Sequence, residues 1–521
     1  MKILFLNPKI IHERWPFTAD TLRVICKALG VAFTQLAAMV EDEECRIFDA
    51  FVEKISMKDY VKMLKDYDII AMSMVPPQLV LNMEIAVRMI RKVNKNAIIV
   101  LGGHHATAFD REWIEKGADI IVKHEGEETF KELVEVLKNN RDLSSVKGIT
   151  YKNGENKIVS TKDRDLIESL DDLPLPRWDL VNFEISRGSG GSDNIAACLE
   201  TSRGCIGKCN FCWVHWMWKR RQRYKSAGRV VEEMRRLYAL GCRNIIISDD
   251  NFGGCYERDL VILKELARLK MDLNIWLFLR ADTIFNHPDL VEYASKAGAR
   301  EIFVGFEDLN VQKVDANGKK LENVKGIDDY KKVYAILKKN NILVVGCFVQ
   351  DLLDVSDSPS VENAHCSEIC DMSQHAQVIP LKGSGSYEKL WSTRLKGVDP
   401  FYAGILTGYE LNNRGRLSAY RDNFKGLMNK KIIDIFTNKS RSNSWGRKRV
   451  LNLYMVMIKN VFRVDLKKIM VFLWCFNPLI LPEQKQKMIL NQYLNEKFIG
   501  RLVKKGLYPL TQVDRKDNKK Q

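Results

Sequence analysis

The chain has no long hydrophobic run. Its opening segment, Met1-Lys-Ile-Leu-Phe-Leu-Asn-Pro8, is apolar for too few residues to form the core of a secretory signal, and polar residues follow it. The apolar stretch Ile469–Phe476 is broken by Asn477-Pro478 and is too short to span a bilayer. No internal repeat is visible. With no secretory signal, the 12 cysteines point to a reducing compartment, where thiols serve metals rather than disulfides. The expected location is the cytoplasm.

What is present describes a folded, multidomain protein. At 521 residues the chain exceeds one ordinary core, and 46% hydrophobic with 28% charged residues is a globular composition. The net charge of +16 is unevenly placed. From Ser386 onward there are 28 Lys and Arg against 10 Asp and Glu; the rest of the chain holds 54 against 56. The basic excess is therefore a property of the last quarter alone.

Four segments follow from the pattern. Residues 1–140 alternate short β-rich runs (Lys2–Leu6, Arg46–Phe48, Ile69–Ser73, Ile98–Leu101, Ile120–Val122) with helical periodicity over Leu22–Glu41, Met57–Lys65, Leu81–Val93 and Thr129–Asn139. This alternation predicts an α/β, doubly wound (Rossmann-like) open sheet that binds ligands at the carboxyl ends of its strands. Residues 141–193 read as a connector, with a hairpin about Asn153-Gly154 and the extended Asp171-Asp-Leu-Pro-Leu-Pro-Arg177. Residues 194–385 show a second βα series, with strands expected at Ile195–Leu199, Asn244–Ser248, Asn274–Leu279, Glu301–Phe306, Ile342–Phe348 and Ala376–Pro380. The last of its helices is expected over Val361–Met372. Six units are too few for a closed eight-stranded barrel, so a partial (βα)6 barrel is expected, with its site at the carboxyl strand ends. Residues 386–521 lack that rhythm and read as a basic helical region.

The densest chemical signal is Cys205-Ile-Gly-Lys-Cys209-Asn-Phe-Cys212, preceded by Glu200-Thr-Ser-Arg-Gly204. Three thiolates at this spacing can hold three irons of a [4Fe-4S] cube and leave the fourth open, whereas clusters usually take four cysteines. A three-ligand zinc site or chance clustering is the alternative. The C-x3-C-x2-C segment, with Phe211 between its last two cysteines, resembles the signature of the radical S-adenosylmethionine (SAM) superfamily. The resemblance implies that SAM chelates the open iron. It also implies that an electron, from a donor such as flavodoxin or ferredoxin, cleaves SAM to a 5′-deoxyadenosyl radical. Asp249-Asp-Asn-Phe252, Arg280-Ala-Asp282 and Gly305-Phe-Glu-Asp308 resemble the SAM-contacting strand ends of that family. On this basis Arg280 is expected at the SAM carboxylate and Glu307 at a ribose hydroxyl or the amino group. Asp249 and Asp250 are further candidates. Each has a duller reading as a loop-stabilising ion pair.

The first segment adds a second resemblance. Gly102-Gly-His-His-Ala-Thr107, with Ala118–Val122 and Glu125-Gly-Glu127, is similar to the cobalamin-binding domain found upstream of many radical SAM cores. Ala28-Leu-Gly-Val31 and Leu36-Ala-Ala38 resemble its first helix. Cobalamin contacts are then expected from Ser73, Gly102, Gly103, His104, Glu125 and Gly126. The alternative is a nucleotide-binding fold that keeps glycines only for tight turns. The D-x-H-x-x-G loop that supplies an axial histidine in one cobalamin class is absent, so no His–Co bond is expected. His104 or His105 is then only a corrin or phosphate contact. His124 stands where the family usually has glycine.

Other features stay open. His365, Cys366 and Cys370 are expected to be core residues rather than a second cluster. Trp213, Trp216 and Trp218 could wall the substrate pocket or pack the loop against the tail. The tail itself, with Arg441–Arg449 and Lys467-Lys468 beside an apolar stretch, could lie at a membrane surface, on its inner face, or form a helical lid. No nucleic-acid motif accompanies its scattered basic residues. Together these readings imply a cobalamin-dependent radical SAM methyltransferase acting on an unactivated carbon of a small-molecule or amphiphilic, lipid-like substrate. A non-methylating cyclase with the same cofactors and a non-catalytic cobalamin or iron–sulfur sensor are the rivals.

Overall fold

A computed structural model describes residues 1–8, 27–50, 55–73, 80–181, 195–350 and 368–377, with a few single or short segments beside them, notably Cys366 and residues 382–385. The expectations for 386–521, and His365 with most of the helix expected over 361–372, fall outside the described residues, apart from Tyr387.

The first half supplies strands β1 (Lys2–Asn7), β2 (Lys27–Leu29), β3 (Glu44–Asp49), β4 (Ile69–Ser73), β5 (Ile98–Gly102), β6 (Ile120–Val122), β7 (Ile149–Lys152) and β8 (Ile158–Ser160). Its helices are α1 (Val31–Met39), α2 (Met57–Met63), α3 (Val80–Val93), α4 (His104–Ala108), α5 (Asp110–Glu115) and α6 (Glu127–Lys138). All these strands but β2 form one sheet of order β3-β1-β4-β5-β6-β7-β8, parallel from β3 to β6. Strand alternation explains its two cores. Leu4 and Leu6 pack with Tyr60, Val87, Ile90 and Trp113 on one face, while Ile3 and Phe5 pack with Ala37, Phe130 and Leu133 on the other. Both faces are covered by helices, as the continuous apolar runs require. The order reverses at β1, between β3 and β4, which opens the crevice where doubly wound folds bind ligands.

The Asn153-Gly154 hairpin does more than connect. β7 pairs antiparallel with β6, and β8 with β7, so the hairpin extends the first sheet.

The second half adds β9 (Ile195–Leu199), β10 (Ser202–Arg203), β11 (Arg223–Tyr224), β12 (Asn244–Ile247), β13 (Asn274–Arg280), β14 (Ala299–Glu307), β15 (Leu343–Gln350) and β16 (Met372–Gln377). Its helices are α7 (Val214–Met217), α8 (Ala227–Ala239), α9 (Tyr256–Leu269), α10 (Ala281–Asn286), α11 (Pro288–Ala297), α12 (Val311–Ala316) and α13 (Ile327–Lys339). Six strands run β9-β12-β13-β14-β15-β16, all parallel. Ile275, Leu277 and Leu279 of β13 and Ile302, Val304 and Phe306 of β14 enter the core under the helices. The alternate residues Trp276, Phe278 and Arg280, and Glu301, Phe303, Gly305 and Glu307, therefore line the concave side.

Two expectations need correction. The helix expected over Leu22–Glu41 begins only at Val31. Lys27–Leu29 instead form β2, which pairs parallel with β9 and becomes the seventh strand of the second sheet. Gly30, with extended φ −69 and ψ 139, separates the two elements. A free sheet edge has outweighed local helical propensity. The sixth barrel strand also starts earlier, at Met372 rather than Ala376. The Asp371 carboxylate accepts from the Val344 amide (2.9 Å) and from Tyr334 and Lys338, and so pins the strand's first residues to β15. Cys366 and Cys370 lie buried in the barrel core, as expected.

Candidate functional site

The three cysteines lie in the loop between β10 and β11, whose antiparallel pairing closes it (Ser202 with Tyr224, Arg203 with Arg223). Gly204 turns the chain at φ +89, and a Cβ there would fall 2.0 Å from the Arg221 carbonyl oxygen, so only glycine closes this loop. Gly207 lies against two sulfurs: its amide donates to Cys205 Sγ at 3.3 Å, and a Cβ would stand 3.2 Å from that sulfur and 3.7 Å from Cys209 Sγ. All three cysteines are free and half-buried. Burial raises the Cys209 thiol and pushes Cys212 up to about 12. Such thiols become thiolates when a cation takes the proton's place, which is the chemistry of an iron cluster. Among the described residues no three His, Cys, Asp or Glu side chains are grouped so as to hold a metal ion.

Asp249 and Asp250 at the end of β12 behave differently. Asp249 is buried and accepts from the Thr201 amide (2.6 Å), Thr201 Oγ1 (2.5 Å) and Ser202 Oγ (2.7 Å). Its carboxylate thus fastens the strand leading into the cysteine loop through hydrogen bonds rather than an ion pair. Asp250 accepts from the Gly204 amide at 3.1 Å. It remains accessible, yet the surrounding protein walls raise it to about 6, as for a carboxyl lining a recess.

Arg280 and Glu307 come together beside the cysteines. Arg280 ends β13; its Nε and Nη2 donate to Asp282 (2.9 and 2.8 Å), and Nη2 also to the Lys320 carbonyl (2.5 Å). Glu307 ends β14 at a bulge, with φ +66, a conformation unusual for a non-glycine residue and concentrated at functional sites. Lys319 donates to Glu307 Oε1 (2.5 Å) and to the Gly305 carbonyl (2.8 Å). Lys319, Arg280 and Glu307 all act electrostatically on the Cys209 thiol. The segment carrying Lys319 rests on the cluster loop, where Asn210 N donates to the Asn317 carbonyl at 2.8 Å. Lys319 and Asp282 carried no distinct sequence signal. Lys319 lies in a polar run after a short helix, and only the fold brings it to Cys209.

In the first sheet, Ser73 and Gly102 are paired neighbours at the carboxyl end. Gly103 follows at φ +89 and leads into α4. His104 is buried, and among the described residues neither ring nitrogen has a hydrogen-bond partner of normal geometry. Burial lowers it to about 4, opposed only in part by the nearby Lys382 backbone. Its ring lies 3.9 Å from that of Trp213 and edge-on to Trp216 at 5.7 Å. Trp213 immediately follows Cys212. The tryptophans thus join the cluster loop to the glycine-rich end of the first sheet. His105 accepts from Trp113 Nε1 at 3.0 Å and is a core residue.

Glu125 and Gly126 follow β6, whose carboxyl end lies beside Gly102. Gly126 caps the start of α6, where a Cβ would stand 3.5 Å from Leu36 and from Val122. The Glu125 carboxylate accepts from Arg203 Nη1 (2.6 Å), Arg223 Nη1 (2.8 Å) and the Ile167 amide (2.8 Å). Glu127 accepts from Arg203 Nη2 (2.5 Å), and Glu200 from Arg203 Nε (2.9 Å). Burial opposes ionisation of Glu127, but Arg203 outweighs it and holds the carboxyl below its usual range. Glu125 and Glu127 were legible as acidic residues, but their buried arginine partners lie far away in sequence.

Comparison with known proteins agrees with this two-part site. Residues 19–134 match the B12 binding domain, and residues 199–353 match the radical SAM superfamily. The chain belongs to the cobalamin-binding-domain-containing radical SAM family. Among curated relatives of this family, an uncharacterized methyltransferase of Pyrococcus horikoshii is 29% identical over 67% of this chain and 74% of its own. An anaerobic magnesium-protoporphyrin IX monomethyl ester cyclase of Synechocystis is 27% identical over 51% of this chain and 52% of its own length. Among solved structures, the radical SAM methyltransferase TsrM from Kitasatospora setae, with cobalamin and a [4Fe-4S] cluster bound, superposes with a TM-score of 0.61. It covers 89% of this chain and 100% of its own at 14% identity, which is a likeness of fold. Among the described residues of this family member, no helix is long and apolar enough to cross a membrane.

Proposed function

We propose that this chain is a radical SAM enzyme with a [4Fe-4S] cluster and cobalamin, and that it methylates an unactivated carbon of a small-molecule substrate. The observation that carries the proposal is the contact of His104 with Trp213, because it joins the residue after Cys212 to the carboxyl edge of the cobalamin-binding sheet. When bound, the reduced cluster supplies the electron that splits SAM, and cobalamin supplies a methyl carrier. The protein's residues hold, orient and enclose.

Cys205, Cys209 and Cys212 are the proposed cluster ligands, with the Gly207 amide supporting the Cys205 sulfur. Arg280 is the proposed partner of the SAM carboxylate: Asp282 fixes one edge of its fork, and Nη1 is left to meet an anion. Glu307, strained and held by Lys319, is the proposed acceptor from the SAM amino or ribose groups. Asp250, which holds the Gly204 amide, is a further proposed SAM contact. Ser73, Gly102, Gly103 and His104 form the proposed cobalamin edge. There, glycine backbone allows close approach of a flat ligand, and a neutral buried imidazole meets it.

The substrate is proposed to have a substantial apolar part. On the concave face, Phe278 is exposed and stacks on Phe303 with ring centroids 4.8 Å apart. That pair sits one inward-facing layer, about 6.6 Å, below Arg280. An amphiphilic substrate and a low-potential donor such as flavodoxin or ferredoxin fit this site. Contact of the basic C-terminal region with a membrane remains part of the proposal.

The cyclase relative favours a second reading, in which the same cofactors act without methyl transfer. Anaerobically reconstituted protein decides between them. Methyl transfer produces S-adenosylhomocysteine in step with 5′-deoxyadenosine, whereas turnover yielding 5′-deoxyadenosine alone excludes it. No SAM cleavage under strong reductant would leave the sensor reading.

A further inference from the structure

The buried charges around Arg203 form a continuous mechanical path between the two proposed cofactor sites. At one end, Thr107 Oγ1 donates to the Gly103 carbonyl (2.9 Å) and accepts from the His124 amide (3.1 Å), so the glycine turn before His104 is tied to the residue before Glu125. Glu125 and Glu127 then bind Arg203 and Arg223. At the other end, Arg203 and Arg223 are the paired residues that close the cluster loop, and Arg203 is separated from Cys205 by Gly204 alone. All four side chains are buried. Arg223 Nε and Nη2 have no hydrogen-bond partner among the described residues, and Arg203 and Arg223 both lie near the Trp218 ring, at 5.9 and 5.6 Å. Removing one side of such a pair leaves an uncompensated buried charge. The pairing that closes the loop and the contact with the first domain therefore share the same buried charges.

Resting on the proposed function, we propose that Glu125 and Glu127 are positioning residues that couple the cobalamin site to the SAM site, through Arg203 and Arg223. Cobalamin at Gly103–His104 favours the docked arrangement, docking closes the loop, and the closed loop binds SAM more tightly. Coupling between binding sites is reciprocal, so SAM must tighten cobalamin by the same factor.

The test compares ratios rather than single affinities. The dissociation constant for SAM is measured anaerobically on the full chain with its cluster reconstituted, with and without hydroxocobalamin. The expected result for the natural sequence is tightening of about tenfold, within the usual range of coupling between sites. Glu127→Gln and Glu125→Gln bring that ratio to about one while iron content stays unchanged. Arg223→Lys, which keeps the charge, retains part of it. A purely structural role for the carboxylates would weaken SAM binding equally with and without cobalamin and leave the ratio intact, which overturns the proposal. A ratio of one in the natural sequence overturns it without any variant. Failure of the natural protein to bind SAM at all would instead count against the proposed function.

Discussion

At the carboxyl edge of the first sheet the side chains are small or neutral: Ser73, Gly102, Gly103 and the uncharged ring of His104. At the carboxyl edge of the second sheet they are thiols and paired charges: three cysteines, the Arg280–Asp282 fork and the Lys319–Glu307 pair. Both edges are built by the same parallel βα rhythm, so the backbone does not account for the contrast. A large flat ligand needs room and close backbone approach. A charged cluster with a zwitterionic ligand needs counter-charges fixed in advance. On the proposed function each edge suits its own kind of cofactor, with Trp213 and Trp216 packed against His104 between them.

The comparison breaks most severely at the cysteines. Cys205→Ala, Cys209→Ala or Cys212→Ala should each reduce 5′-deoxyadenosine formation by more than about a thousandfold, the scale expected when a group essential to the chemistry is lost. Iron content should fall with activity, while cobalamin binding at the other edge persists. Iron analysis and product chromatography check both.

Gly204→Ala tests whether the loop's turn is as constrained as its geometry implies. The left-handed backbone alone should cost about 1–3 kcal/mol, and the 2.0 Å approach to Arg221 adds to that. Thermal unfolding and the yield of reconstituted cluster should both drop.

Arg280→Lys sharpens the contrast by keeping charge but losing the fork. The KM for SAM should rise about tenfold, roughly 1.4 kcal/mol, with a smaller change in kcat. An unchanged KM would remove Arg280 from the SAM site.

The mildest effect is at His104. Its folded-state value of about 4 lies below the ordinary 6.5, so the folded protein binds fewer protons than the unfolded chain. Stability without cobalamin should be intact above pH 6.5 and fall as the pH drops towards 4, by about 1.4 kcal/mol at pH 5.5. In His104→Phe that slope disappears, and SAM cleavage continues. Unfolding midpoints measured across this pH range check it.

Much of this was legible in the sequence because it depends on short-range patterns. The apolar runs of both sheets, the C-x3-C-x2-C loop and the Gly102-Gly-His-His turn each announce themselves within a few residues. Partnerships across the chain did not. Nothing near Asp249 indicates that Thr201 and Ser202 will claim its carboxylate, and nothing near Glu125 points to Arg203. Lys27–Leu29 carry helical periodicity, yet the open edge of β9 makes them a strand. The place of Arg280 at the end of β13 follows from the local strand pattern, whereas the partners of Glu125 lie far away in sequence.

The central claim is that the two cofactors face one another across the His104–Trp213 contact. The most direct measurement is electron paramagnetic resonance of the anaerobically reduced protein carrying both a [4Fe-4S]⁺ cluster and cob(II)alamin. A resolved magnetic interaction between the two spins is expected, and it vanishes in Cys212→Ala, when the cluster is lost. Two independent, unbroadened signals from fully loaded protein would contradict it.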